Sequence, residues 1–359
     1  MSARSRAIAV GLALACTRCV EADYLLHAIE GQLDLACRAR SIESAAADDE
    51  LDPQTRALLA DVPRMKAFAV ESGLEPTSSY ETFVGLDRPS VVYVVSAAPP
   101  LSLEPKRWWF PVAGNVPYLG WFDKNLAVQQ ARWLQADGWD VDVRGASAYS
   151  TLGWFDDPVL SSMIEDADDA LAELANVILH ESVHATVYVP GQSSFNEGLA
   201  TYIGDELTVR FLDARFGPRS EALATWLDGE ARGREIRERF HRGYEELSAL
   251  YASDLPDADK LAKKKTLLAE IQADVRFRRP ITNATLAGYS TYHSSREDFA
   301  RLWEACDRAP RRMVEVTKTL RAEDFPEPNT EVLTTIVDGL AAKCRVMPRP
   351  VGSTAGTPP

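Results

Sequence analysis

Apolar and polar positions alternate along this chain in three regimes: a helical beginning, a strand-rich middle and a long helical remainder. Tyr24 to Arg40 repeats apolar residues at Leu25, Leu26, Ile29, Leu33 and Ala36, which is helical spacing and predicts an amphipathic helix packed on the body. Two shorter helices are expected around Pro53 to Asp61 and Pro63 to Ser72. The period then shortens. Val91 to Ser96 and Trp108 to Val112 are β-branched and aromatic and are broken by prolines, so they read as strands. Asp123 to Ala136 is helical up to Gly138, and Trp139 to Val143 reads as another strand.

Asp168 and Asp169 then open a helix whose apolar spacing runs through Leu171, Leu174, Val177, Ile178 and Val183 to Val187, before Pro190 and Gly191 end it. Beyond residue 197 the pattern is mostly helical. Arg232 to Tyr251 and Leu261 to Phe277, separated by Asp254 to Asp259, predict an antiparallel hairpin projecting from the body, with its charge runs as solvated faces. Further helices are expected around Ile281 to Tyr289, Ser295 to Arg308 and Arg311 to Arg321. Strands first and helices after predict a helix-rich α+β fold with a small sheet preceding the central helix and a mainly helical C-terminal lobe.

That central helix carries His180-Glu181-Ser182-Val183-His184. Two histidines four apart share one helix face and can grip one metal ion, and the glutamate beside the first is placed to work on a water. Two imidazoles and a carboxylate suit zinc with an open fourth position. Glu197, with twelve residues between it and His184, is the candidate third ligand. Ser194-Phe195-Asn196-Glu197 also reads as a capping box, in which Glu197 needs no metal.

Asn196-Glu197-Gly198-Leu199-Ala200-Thr201-Tyr202 resembles the segment that carries the glutamate ligand in the aminopeptidase N family of zinc peptidases. Tyr24 to Leu35, Val91 to Pro111, Val112 to Phe122, Ala148 to Pro158 and the two metal motifs together resemble a bacterial, lipoprotein-type family of aminopeptidases. The resemblance implies a zinc peptidase of the gluzincin kind with a thermolysin-like catalytic domain, whose sheet edge covers the metal cleft and pairs with an extended peptide. Ala148 to Phe155 is the candidate edge, or else a core strand with Trp154 and Phe155 packed inside.

In such a domain Glu181 accepts the water's proton and passes it to the departing amine. Related folds place an oxyanion donor downstream, where His293, Tyr289 and Tyr292 are the candidates. Asn176, Asn196 and Asp205 are candidates to hold the ligands in orientation. An exopeptidase also needs carboxylates for the substrate's ammonium, and Asp156, Asp157 and Glu104 could serve. The Gly-x-Met-Glu-Asn signature of aminopeptidase N is absent. An endopeptidase with the same chemistry therefore stands as an alternative, as does a non-catalytic envelope lipoprotein with a structural metal site.

The ends of the chain add a location. Arg4 and Arg6 precede an apolar run from Ala7 to Ala15, the layout of a short secretory signal over residues 1–15. Leu14-Ala15-Cys16 resembles a lipobox, which implies lipidation at Cys16 and a bacterial envelope protein, exported to the periplasmic face, whose membrane contact is that anchor. A single peptidase domain is expected over 16–346, with the charged hairpin around 228–279 and a flexible tail over 347–359. The net charge of -14, which becomes -16 without the two signal arginines, disfavours nucleic acid and leaves a peptide as the expected partner. Cys37, Cys306 and Cys344 allow at most one internal disulfide among them, and spacing does not say which.

Overall fold

A computed structural model describes residues 23–110, 114–148, 156–164, 167–290, 296–330 and 332–348. In chain order the elements are α1 (23–38), β1 (Arg40–Ser41), α2 (Ile42–Ala46), α3 (Pro53–Glu71), β2 (Thr82–Val84), β3 (Val92–Ala98), β4 (Trp108–Phe110) and β5 (Gly114–Val116). There follow β6 (Leu119–Trp121), α4 (Lys124–Ala136), β7 (Asp140–Ala146), β8 (Val159–Leu160), α5 (Ala170–Thr186) and α6 (Ser193–Phe216). The remainder is α7 (Glu221–Ala252), α8 (Asp257–Asp274), α9 (Asn283–Ser290), α10 (Arg296–Ala305), α11 (Pro310–Thr317) and α12 (Thr334–Val346). The fold is helix-rich α+β, as the pattern predicts. It divides into two compact units, one of residues 1–62, 78–173 and 228–290, the other of 63–77, 174–227 and 291–359.

In the first unit β3 is the middle strand of a three-stranded antiparallel sheet, with Val95 opposite Leu119 of β6 on one side and Val143 of β7 on the other. Helix α4 closes one face. Its Ala127, Ala131 and Leu134 pack against Val95, Leu119, Trp121 and Val141. Asp123 caps the helix by accepting from the Asn125 N–H at 2.6 Å, and Gly138, at φ +86, lets the chain turn straight into β7. Strands β4 and β5 pair antiparallel, while β1, β2 and β8 form a further small sheet with β2 and β8 parallel.

Helix α1 is seated the other way round from its sequence expectation. Tyr24, His27, Gly31 and Leu35 face inward, and Leu25, Leu26, Ile29 and Leu33 are 40%, 61%, 56% and 59% exposed. Shape outweighs hydropathy here. The Tyr24 ring lies 5.3 Å from Phe110 and 5.1 Å from Trp121, and its hydroxyl accepts the Gly120 N–H at 3.3 Å. Gly31 faces Phe122 so closely that any added Cβ would strike the ring.

The two helices expected around Pro63 are one, because α3 runs through that proline. The missing N–H costs one helical hydrogen bond, but Leu58, Leu59, Val62 and Met65 are all buried along the continuous helix and outweigh it. The charged hairpin forms as α7 and α8, but it does not project. Phe240, Leu247 and Ile271 share a core with Leu103, Ile281 and Leu286, and Gly243 makes room for the Ile271 side chain. Buried Lys264 of α8 donates to the Pro100 carbonyl at 2.8 Å and pairs with Asp140 at the start of β7. A lysine drawn into a charge run by its sequence is thus a buried anchor between hairpin and sheet.

In the second unit α10 and α12 pack together, and the Cys306–Cys344 disulfide joins the segment after α10 to α12. The pairing left open by the sequence is therefore between these two, and Cys37 is free and exposed. Helix α12 lies outside the sequence expectation. Its burial of Val337, Leu340 and Ala341 is a stripe too short to stand out against a Thr- and Gly-containing neighbourhood.

Candidate metal centre

Helix α5 is held by an apolar face in which Leu174, Ala175, Ile178, Leu179 and Val183 are fully buried. The remaining face presents His180, Glu181 and His184. After α5 the chain turns at Gly191, at φ +78, and enters α6. Asn196 fastens this turn from inside: its Nδ2 donates to the Val189 carbonyl and its Oδ1 accepts the Val189 N–H, both at 2.9 Å. Gln192 occupies the helix cap without a side-chain capping bond, so Glu197 sits at the fifth helical position. The Ser194 N–H and hydroxyl both donate to Asn329 Oδ1, at 3.0 and 3.1 Å. The capping-box reading of Ser194 and Glu197 is therefore excluded, because Ser194 is not the cap and Glu197 lies too far into the helix.

Freed from capping, the Glu197 carboxylate meets both imidazoles. His180 Nε2 and His184 Nε2 are 3.1 Å apart, and the Glu197 oxygens lie 3.7 Å from the first and 3.5 Å from the second. Donors about 2.0–2.1 Å from one tetrahedral zinc stand roughly 3.3–3.5 Å apart, so this spacing fits that ion. Among the described residues these three form the one cluster whose donor atoms all lie within 4.8 Å of one another. The His184 side chain is 6% exposed and that of Glu197 31%, which leaves the group open on one side.

Burial pushes the Glu197 carboxyl up, but hydrogen bonds and charge from His180 and His184 more than offset it and hold the group at about 2. Burial likewise pushes the His184 imidazole down, and the Glu197 carboxylate raises it above its ordinary value. The sequence profile of the putative aminopeptidase family matches residues 23–331, both metal-motif helices included. The chain belongs to that family. No curated protein and no solved structure matches it.

What holds the aminopeptidase-family motif in place is a second layer of contacts. Asn176 Nδ2 donates to Asp205 Oδ1 and to Thr208 Oγ1, both at 3.3 Å, and Asp205 Oδ2 pairs with Arg296 Nη1 at 2.6 Å. Asn176 and Asp205, expected to orient the imidazoles, are thus bonded to each other and tie α5 to α6 to α10. His184 Nδ1 is buried and has no partner among the described residues. Gly204 of α6 crosses His180 so closely that a Cβ there would stand 3.3 Å from the His180 Cα.

Neither Gly204 nor Asn329 belongs to the sequence reading. Each had a signal: a lone glycine inside a helical run marks close approach, and Pro328-Asn329 is turn chemistry, with Asn329 at φ +54. Tyr289 is placed in the first unit, its ring 4.5 Å from that of Phe240 in the hairpin core. Asp156 accepts from the Ser78 hydroxyl. Asp157 is buried, its backbone bonded to Ser79 Oγ at 3.1 Å and to the Tyr80 N–H at 2.6 Å. Glu104 is exposed, with its N–H donating to Ser102 Oγ at 3.1 Å. These three carboxylates also lie in the first unit, and the roles given to them rest on the sequence alone. Tyr292, His293, Cys16 and residues 149–155 of the candidate edge lie outside the described residues.

Proposed function

We propose that this protein is a zinc-dependent aminopeptidase of the gluzincin kind, with a thermolysin-like catalytic arrangement. The observation that carries the reading is the convergence of His180 Nε2, His184 Nε2 and the Glu197 carboxylate on one point, with Glu181 next to the first. When bound there, zinc would lower the pKa of a water towards neutrality and polarise the scissile carbonyl. Glu181 takes the proton of the attacking water and gives it to the departing amine, so that water and peptide become an acid and an amine. Glu197 and the histidines hold the ion. Asn196, by fixing the turn before α6, holds Glu197 in line with them. Tyr292 and His293 are the proposed donors to the developing oxyanion. The aminopeptidase assignment is supported by the family, and the absent Gly-x-Met-Glu-Asn signature keeps an endopeptidase as its rival.

The same proposal places the protein in a bacterial envelope, exported through residues 1–15 and lipid-anchored at Cys16. The Cys306–Cys344 disulfide supports export, since such bonds persist in oxidising compartments. Two measurements test the chemistry. Metal analysis should return one zinc per chain, and Glu181→Gln should keep that zinc while cutting turnover by about 10²- to 10⁴-fold. Retained activity in Glu181→Gln, or zinc binding undiminished in His184→Ala, would sink the reading. Cleavage should also be confined to a peptide with a free amino terminus, and equal cleavage of its acetylated copy would remove the word aminopeptidase.

A further inference from the structure

Helix α1 is apolar on two opposite faces, and only one of them is used. Tyr24, His27, Gly31 and Leu35 fill the inward face. Leu25, Leu26, Ile29 and Leu33 form a continuous outward stripe, each 40% to 61% exposed. Asp23, Glu30 and Asp34, all exposed, run along one edge of it. Tyr118, itself 50% exposed, stands two residues from Gly120, whose N–H the Tyr24 hydroxyl accepts, and so lies near the head of the helix. An aromatic ring with a polar tip suits the boundary between lipid headgroups and acyl chains.

We propose that this outward face of α1 rests on the surface of a lipid bilayer. The inference rests on the export and anchoring part of the function above. Six residues lie between Cys16 and residue 23, and the seven steps from one to the other span at most about 25 Å when fully extended. An anchor at Cys16 therefore keeps α1 within one short tether of the membrane, with its stripe free to seat. A second copy of the chain is the less favoured occupant. Four half-exposed side chains make a patch of roughly a few hundred Å², well under the about 800 Å² per partner that a stable pair needs. The acidic edge and the net charge of -14 give no attraction to anionic headgroups, so adhesion comes from apolar burial.

The test uses the chain from Cys16 onward without lipid, which keeps all described contacts because they begin at residue 23. It should co-float with phosphatidylcholine vesicles at high and low salt alike. Leu26→Ser/Ile29→Ser/Leu33→Ser should weaken that partition at least tenfold while leaving peptidase activity unchanged, since all three residues are exposed and far from any packing role. Phosphatidylglycerol in the vesicles should weaken binding further. Equal flotation of both proteins, no flotation of either, or a dimer of the parent that the variant disperses would overturn the proposal. So would binding that grows with phosphatidylglycerol and vanishes in salt. Mass analysis of Cys16 in membrane-extracted protein tests the anchor separately, so an unlipidated Cys16 and a non-adhering α1 are distinct results.

Discussion

Glu197 shows how one residue changes meaning with its position in a helix. At the third position it would serve the helix end, whereas at the fifth it is released to the two imidazoles. Its low pKa fixes the pH behaviour of the metal-free protein. A depressed carboxyl contributes stability that is fully present above its ordinary 4.5 and is lost as pH falls towards about 2. A raised imidazole contributes stability that is fully present below its ordinary 6.5 and is lost as pH climbs through its raised value. The pair is therefore most effective between about pH 4.5 and 6.5. In chelator, Glu197→Gln should lower the unfolding free energy by about 1–2 kcal/mol in that window, after allowance for partial exposure. The difference should shrink towards pH 2, and again as the pH climbs through the raised imidazole value, in calorimetric scans. A difference that stays constant across pH would show that the carboxylate acts through packing alone.

At the scale of elements, the centre depends on how closely α5 and α6 approach. Gly204 sets that distance, since a methyl there meets the His180 Cα and Cβ at 3.3 Å and its backbone nitrogen at 3.4 Å. Gly204→Ala gains about 1 kcal/mol of helix propensity and loses about 1–3 kcal/mol by overpacking. The melting temperature is thus a poor reporter, and metal affinity is a sharp one. A shift of a few tenths of an ångström displaces His180 against Glu197, so zinc affinity should fall by about tenfold in chelator competition. Unchanged affinity would mean that the two helices can part without disturbing the ligands. The network from Asn176 through Asp205 to Arg296 joins the same two helices to α10, which explains why a polar bridge is half-buried behind the histidines.

At the scale of the whole molecule, the unit that carries His180, His184 and Glu197 is also the one closed by the Cys306–Cys344 bond. A loop of 38 residues makes such a bond worth about 4 kcal/mol in the chain-entropy account, and measured values often fall below it. Reduction, or Cys344→Ser, should lower the denaturation free energy by about 2–4 kcal/mol, read as a shifted denaturant midpoint. No shift would mean that the packing of α10 on α12 suffices. The histidine pair, the zinc-type donor set and most helices and strands of the middle were legible in the sequence, because each depends on spacing within one element. Which face of α1 turns inward, whether α3 survives Pro63 and where the hairpin lies were not. Those outcomes hang on Tyr24 meeting Trp121, on burial that outweighs a lost hydrogen bond, and on Lys264 finding Asp140. By itself the sequence determined the types and order of the candidate ligands, since periodicity places side chains on a helix without reference to anything else. Only the tertiary structure decided that Glu197 is a partner of the histidines rather than a cap, because that depends on where two helices cross.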